Sequence, residues 1–155
     1  MKLILNQSTD IKIYQLLGGG KAYNLKRMSD ANIPVPEFIV LSNDFFDAYK
    51  KEVKFNSLVG GLSTPKEDAI RIEKIFKDNP ISPNLMEDLK SALLANNLEG
   101  VDLAVRSSGL DEDSKEHSFA GMFSSFLYQK EIDDIEESIR MCWASAFSER
   151  CLEYR

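Results

Sequence analysis

Three places along the chain carry residue types that could hold an anion. The first is Gly18-Gly19-Gly20-Lys21, followed by Ala22, Leu25 and Met28 at helical spacing. A helix that starts after glycines offers free N–H groups and the positive end of its macrodipole, and glycine lets a phosphate approach the backbone. Lys21 adds a mobile point charge for phosphate oxygens. The second place is Arg106-Ser107-Ser108, where a guanidinium can grip phosphate oxygens as a bidentate fork and two hydroxyls follow it. The third is FAGMFSSFL, Phe119 to Leu127, in which small residues let backbone and hydroxyl groups touch a triphosphate while the aromatics anchor the segment in the core.

Each place also has a plainer reading. Glycines before a lysine can be an ordinary turn with a solvated side chain, and the standard nucleotide patterns fail here. The first glycine of a P-loop would fall on Gln15, Ala22 stands where Ser or Thr should follow the lysine, and a dinucleotide fingerprint would need glycine at Tyr23. Arg106 could pair with the acidic loop beside it, and the third segment could be any core strand. Asp111, Glu112 and Asp113 invite comparison with a Mg²⁺ site, but nothing in their spacing makes them converge, and a solvated acidic loop is the simpler account. His117, the one histidine, has no triad or metal-ligand pattern around it, and a single histidine excludes most hydrolase schemes. No residue of the chain is assigned a catalytic or metal-binding role.

The elements that would carry these residues are readable from pattern. Leu3 to Leu5 and Ile11 to Tyr14 are short β-favouring pieces that predict a hairpin or an edge strand. The glycines lead into a helix that stops near Asn32, ahead of Pro34 and Pro36, and Phe38 to Leu41 reads as a buried strand. Ser42 is suited to cap a helix displaying Phe45, Phe46 and Tyr49, with Gly60-Gly61 as a connection after it. Thr64-Pro65-Lys66-Glu67 combines a capping hydroxyl, a first-turn proline and a reciprocal glutamate, and Ser82-Pro83 repeats the device, so two antiparallel helices around Pro80 are expected. Val101 to Arg106 alternates as a half-buried strand does, Ser107 to Ser118 is a polar loop, and Phe119 to Tyr128 is a second strand-like segment. From Ile132, an amphipathic helix interrupted once runs to Arg155 without a C-cap, which suggests a polypeptide cut rather than finished.

Composition bounds what this arrangement can be. The chain has 155 residues, enough for one domain; 43% apolar and 10% aromatic content supplies a core and excludes disorder as the main state. A net charge of −6 and the lack of a basic stripe argue against nucleic acid as a partner. No apolar run approaches the roughly 20 residues of a membrane span, and the N-terminus lacks a signal-peptide core, so the cytoplasm is the expected location. At about 100° per residue, the spacing from Cys142 to Cys151 puts them on opposite faces of one helix, as buried thiols and not a disulfide.

Taken in order, GGKAYNL (Gly19 to Leu25), IPVPEFIVLS (Ile33 to Ser42), AVRSSGLDEDSKEHSFAGMFSSFL (Ala104 to Leu127) and CWASAFSERCLEYR (Cys142 to Arg155) resemble the N-terminal ATP-binding domain of the phosphoenolpyruvate synthase, pyruvate phosphate dikinase and rifampicin phosphotransferase family. The resemblance implies an α+β fold, the first lobe of an ATP-grasp domain, with a mixed sheet and flanking helices over residues 1–155 as a single partial domain. It implies ATP contacts at Lys21 (GGK motif) and Arg106 (VRSS motif), and, from the rifampicin branch, at Gly121 and at Ser125, which stands where that branch has threonine. Mg²⁺ ligands, the second lobe and the phosphate-carrying histidine domain are expected outside this chain, and His117 does not match the histidine motif. Met122 and Phe123 depart from the polar residues common in the family. The activity implied is phosphoryl transfer from ATP to a histidine and on to an acceptor such as pyruvate, the fragment alone being inactive. The competing class is a non-catalytic nucleotide-binding or interaction module, and the antibiotic branch is a further alternative. Apolar surface meant for the other lobe is expected to be exposed or paired with a second copy of the chain.

Overall fold

The structure is a computed structural model that describes residues 1–61, 63–108 and 124–154. In chain order its elements are β1 (Ile4–Asn6), α1 (Ile11–Leu17), α2 (Gly19–Asp30), β2 (Ile39–Leu41), α3 (Asn43–Glu52), α4 (Phe55–Val59), α5 (Pro65–Asp78), α6 (Pro83–Ala95), β3 (Leu103–Arg106), β4 (Ser125–Gln129), α7 (Ile132–Ser145) and α8 (Glu149–Tyr154). The class is α+β, as expected. The sheet is not the single mixed one expected: among the described residues it is two antiparallel pairs, β1 with β2 and β3 with β4. The chain divides into two compact units.

The first unit draws on residues 1–48, 84–99 and Ser108. Ile11 to Tyr14, expected to be extended, is the start of a helix. The Asp10 carboxylate accepts the Lys12 N–H at 2.8 Å and caps α1, and the helical turn carries Tyr14 into the core beside Leu5 and Ala22. A local cap thus outweighs the β-propensity of two isoleucines. β1 therefore finds its partner in β2, with Leu5 opposite Val40, and not in a local hairpin. The Tyr14 ring meets Phe38 edge to face at 6.5 Å, and its hydroxyl donates to the Asn6 carbonyl at 2.7 Å. Burial, reinforced by the Asp30 carboxylate, pushes that hydroxyl well above the usual tyrosine range. Lys26 is buried on α2, donating to the Gln7 carbonyl and pairing with Asp30 at 2.7 Å. Ser42 does cap α3, accepting the Phe45 N–H. Helix α6 buries Leu85, Leu89 and Leu93 at helical spacing.

The second unit draws on residues 49–83, 100–107 and 124–154. Its centre is aromatic: Tyr49 stacks on Phe76 at 5.9 Å, Trp143 lies 4.9 Å from Tyr49, and Phe147 touches both Phe55 and Phe76. Thr64 caps α5 by accepting the Glu67 N–H at 3.3 Å, with Pro65 in the first turn, which is the hydroxyl half of the capping box expected from sequence. The other end of α5 is closed from α7. Arg140 donates to the Phe76 and Lys77 carbonyls at 2.6 and 3.0 Å while Glu136 holds the guanidinium and accepts the Ile81 N–H. Burial opposes the Arg140 charge, and the hydrogen bond and charge of Glu136 outweigh it, so its pKa lies above the ordinary value. The interrupted C-terminal helix is real: α7 ends at Ser145 and α8 begins at Glu149. Cys142 and Cys151 are buried free thiols.

Candidate functional site

Lys21 owes its position to the junction of two helices. Gly18 is at once the C-cap of α1 and the N-cap of α2, and Gly19 has φ +77°, a left-handed conformation that favours glycine. The reason for Gly19 is not an open phosphate cradle. A Cβ added there would lie 1.6 Å from the Ser108 carbonyl oxygen, so the space is filled by backbone. The Ser108 hydroxyl then accepts the Ala22 N–H and donates to the Gly18 carbonyl, both at 2.8 Å. One amide of the α2 start is therefore already satisfied from within the chain, and Lys21 beside it is half-buried. The sequence had offered Ser108 only as a hydroxyl for phosphate. Its capping role lacks a local signal, because the bonded residues are 90 apart in the chain.

Arg106 and Ser125 come together in the second unit. Arg106 ends β3, Ser125 begins β4, and the two are register partners, both exposed. The alternation read from sequence holds, with Leu103 and Val105 half-buried and Ala104 and Arg106 facing out. An irregularity between Leu103 and Val105 shifts the register, and Tyr128 in β4 takes φ +57°.

Helix α7 fixes this strand pair through short polar links. The Cys142 thiol lies 3.4 Å from the Ser124 carbonyl, Ser145 accepts the Ser124 N–H at 3.1 Å, and Ser138 donates to the Gln129 side chain at 2.9 Å. Ser138, Cys142 and Ser145 of α7 thus face the strand pair, and Trp143 joins the aromatic centre. A guanidinium with a hydroxyl across the ladder can take two or three phosphate oxygens. Lys21 belongs to the first unit and Arg106 to the second. Gly121, the acidic run Asp111 to Asp113, His117 and the Phe119 to Phe123 segment lie outside the described residues. Among the described residues no group of three or more His, Cys, Asp or Glu side chains could hold a metal ion. Among those same residues, no helix is long and apolar enough to cross a membrane.

The family profile described as "Pyruvate phosphate dikinase, AMP/ATP-binding domain" matches residues 15–155. The chain belongs to that family. Its relatives in the dikinase ATP-binding family include the "Probable phosphoenolpyruvate synthase" of Archaeoglobus fulgidus, 33% identical over 90% of this chain and 20% of the relative. The corresponding protein of Methanothermobacter thermautotrophicus is 28% identical over 90% of this chain and 22% of its own length. The "Prodigiosin synthesizing transferase PigC" of Serratia marcescens is 32% identical over 88% of this chain and 15% of that protein. The chain thus spans less than a quarter of each of these relatives. Lys21, Arg106, Ser107, Ser108 and Ser125 all fall within the stretch that the dikinase family profile covers.

Proposed function

We propose that this chain is the first lobe of an ATP-grasp domain and supplies phosphate ligands to a phosphotransferase that passes phosphoryl from ATP through a histidine to an acceptor such as pyruvate. The observation that carries this reading is the pairing of exposed Arg106 with exposed Ser125 on neighbouring strands, within a chain whose family is named for AMP and ATP binding. The names of several relatives, phosphoenolpyruvate synthases, favour pyruvate as acceptor. When bound, ATP supplies the phosphoryl group. Arg106 would grip phosphate oxygens through its fork, Ser125 would donate its hydroxyl beside it, and Lys21 would neutralise charge as a point cation. Gly121 would let the nucleotide approach the backbone. Their contribution is positioning and charge neutralisation, with proton transfer, the metal and the histidine supplied by other parts of the enzyme.

Calorimetry with ATP and Mg²⁺ tests the reading. A charge-assisted hydrogen bond contributes about 1.5–3 kcal/mol, so Arg106→Ala should weaken ATP binding by roughly ten- to a hundredfold. Equal affinities of wild type and Arg106→Ala, with both chains folded, would overturn it. The 155-residue chain by itself should show no ATP-dependent phosphoryl transfer to pyruvate, which a radiolabel assay reads directly.

A further inference from the structure

We propose that Ser108 is a positioning residue for nucleotide binding: its hydroxyl locks the turn that carries Lys21 and so sets the phosphate contact without touching the nucleotide. This rests on the reading of Lys21 as a nucleotide ligand. The geometry is specific to one hydroxyl. Its oxygen accepts the Ala22 N–H and its proton goes to the Gly18 carbonyl, so both ends of the segment containing Lys21 are tied to the same atom. The proton is thereby committed, and the hydroxyl is not available to donate to a phosphate as well. Behind the hydroxyl, the Ser108 backbone sits against Gly19 with no room for even a methyl group, which stops the turn from sliding toward it. Gly18 and Gly19 are both buried and Lys21 is half-buried, so the part of the turn that the Ser108 hydroxyl braces lies inside. A glycine-rich turn is otherwise the most mobile support a ligand could have. Tethering it removes conformations that would have to be lost on binding, and a ligand held ready binds more tightly.

The test is a cycle of variants titrated with ATP by calorimetry, with melting temperatures recorded alongside. Ser108→Ala should weaken ATP binding about tenfold, Ser108→Thr, which keeps the hydroxyl, should stay within about twofold of wild type, and Ser108→Ala combined with Lys21→Ala should bind no more weakly than Lys21→Ala alone. A cap of purely structural importance would lower the melting temperature and leave affinity and the cycle additive, and that result overturns the proposal. Amide hydrogen exchange at Ala22 should quicken in Ser108→Ala, and unchanged protection would overturn the contact itself. If wild type binds no ATP, the nucleotide reading fails and takes this role with it; if wild type binds and Ser108→Ala binds equally, the role of Ser108 alone fails. Ser108→Cys, which keeps the shape and weakens both bonds, carries the same comparison should Ser108→Ala not fold.

Discussion

At Gly19 two independent demands meet, a left-handed φ and contact with the Ser108 backbone. Either alone would disfavour a side chain. The left-handed conformation costs a residue with a Cβ about 1–2 kcal/mol, and the overlap with a carbonyl adds to that. Gly19→Ala should therefore lower unfolding free energy by at least that amount in urea titrations, whereas Gly61→Ala, where an added Cβ meets no atom within 4 Å, should not. A Gly19→Ala chain as stable as wild type would show that the turn is not held as described. The motif was legible as glycine followed by lysine, but its reason was not. Sequence patterns attribute such glycines to an approaching phosphate, and here the approaching group is a serine of the chain itself.

Between elements, the decisive link in the second unit is Arg140. It closes the last turn of α5, where two carbonyls have no helical partner, and it is held by Glu136 one turn earlier on α7. Breaking a buried pair by removing one member costs about 3–5 kcal/mol, so Arg140→Met should destabilise the chain strongly, and adding Glu136→Gln should recover part of the loss. Additive losses in denaturant melts would mean that the two side chains act separately. Neighbouring elements show what one sequence can disclose. The Thr64-Pro65 start, the Ser42 cap, the alternation from Leu103 to Arg106 and the break after Ser145 were all readable, because each signal lies within a few residues of its effect, whereas Val101 and Asp102, read into the same strand, lie before it and are both exposed. Ile11 to Tyr14 has strand propensity by composition, and the Asp10 cap just before it decides for helix. The closure of α5 by Arg140 was invisible, since an arginine on an amphipathic helix gives no sign of which distant carbonyls it will meet. Among the candidate ligands, the facing of Arg106 and Ser125 depended on register, which the intervening stretch conceals.

For the molecule as a whole, a net charge of −6 opposes an approaching anion, so the nucleotide contacts proposed at Lys21 and Arg106 would have to act locally against the general field. Stability should respond to alkali through buried tyrosines. Burial, partly countered by Arg140 and reinforced by Glu136, pushes Tyr49 up to about 12 from 10.0, so the fold prefers the neutral phenol, whose hydroxyl donates to the Asn79 carbonyl. That contribution is complete below the unfolded value and disappears as pH rises through the folded one, between roughly pH 10 and 12. Urea midpoints across this window should fall less steeply in Tyr49→Phe than in wild type, and identical slopes would remove Tyr49 from the account. The Ser108 hydroxyl also bears on the order in which the chain folds. Its partner Gly18 lies 90 residues back, and closing a loop of that length costs about 4 kcal/mol from the logarithmic term alone. Helix α2 can form from its own residues early, but its N-terminus is finished only when the two distant stretches have met. Loss of the hydroxyl should accordingly quicken unfolding and leave the folding rate nearly unchanged, making the support behind Lys21 among the last parts of the protein to assemble and among the first to release.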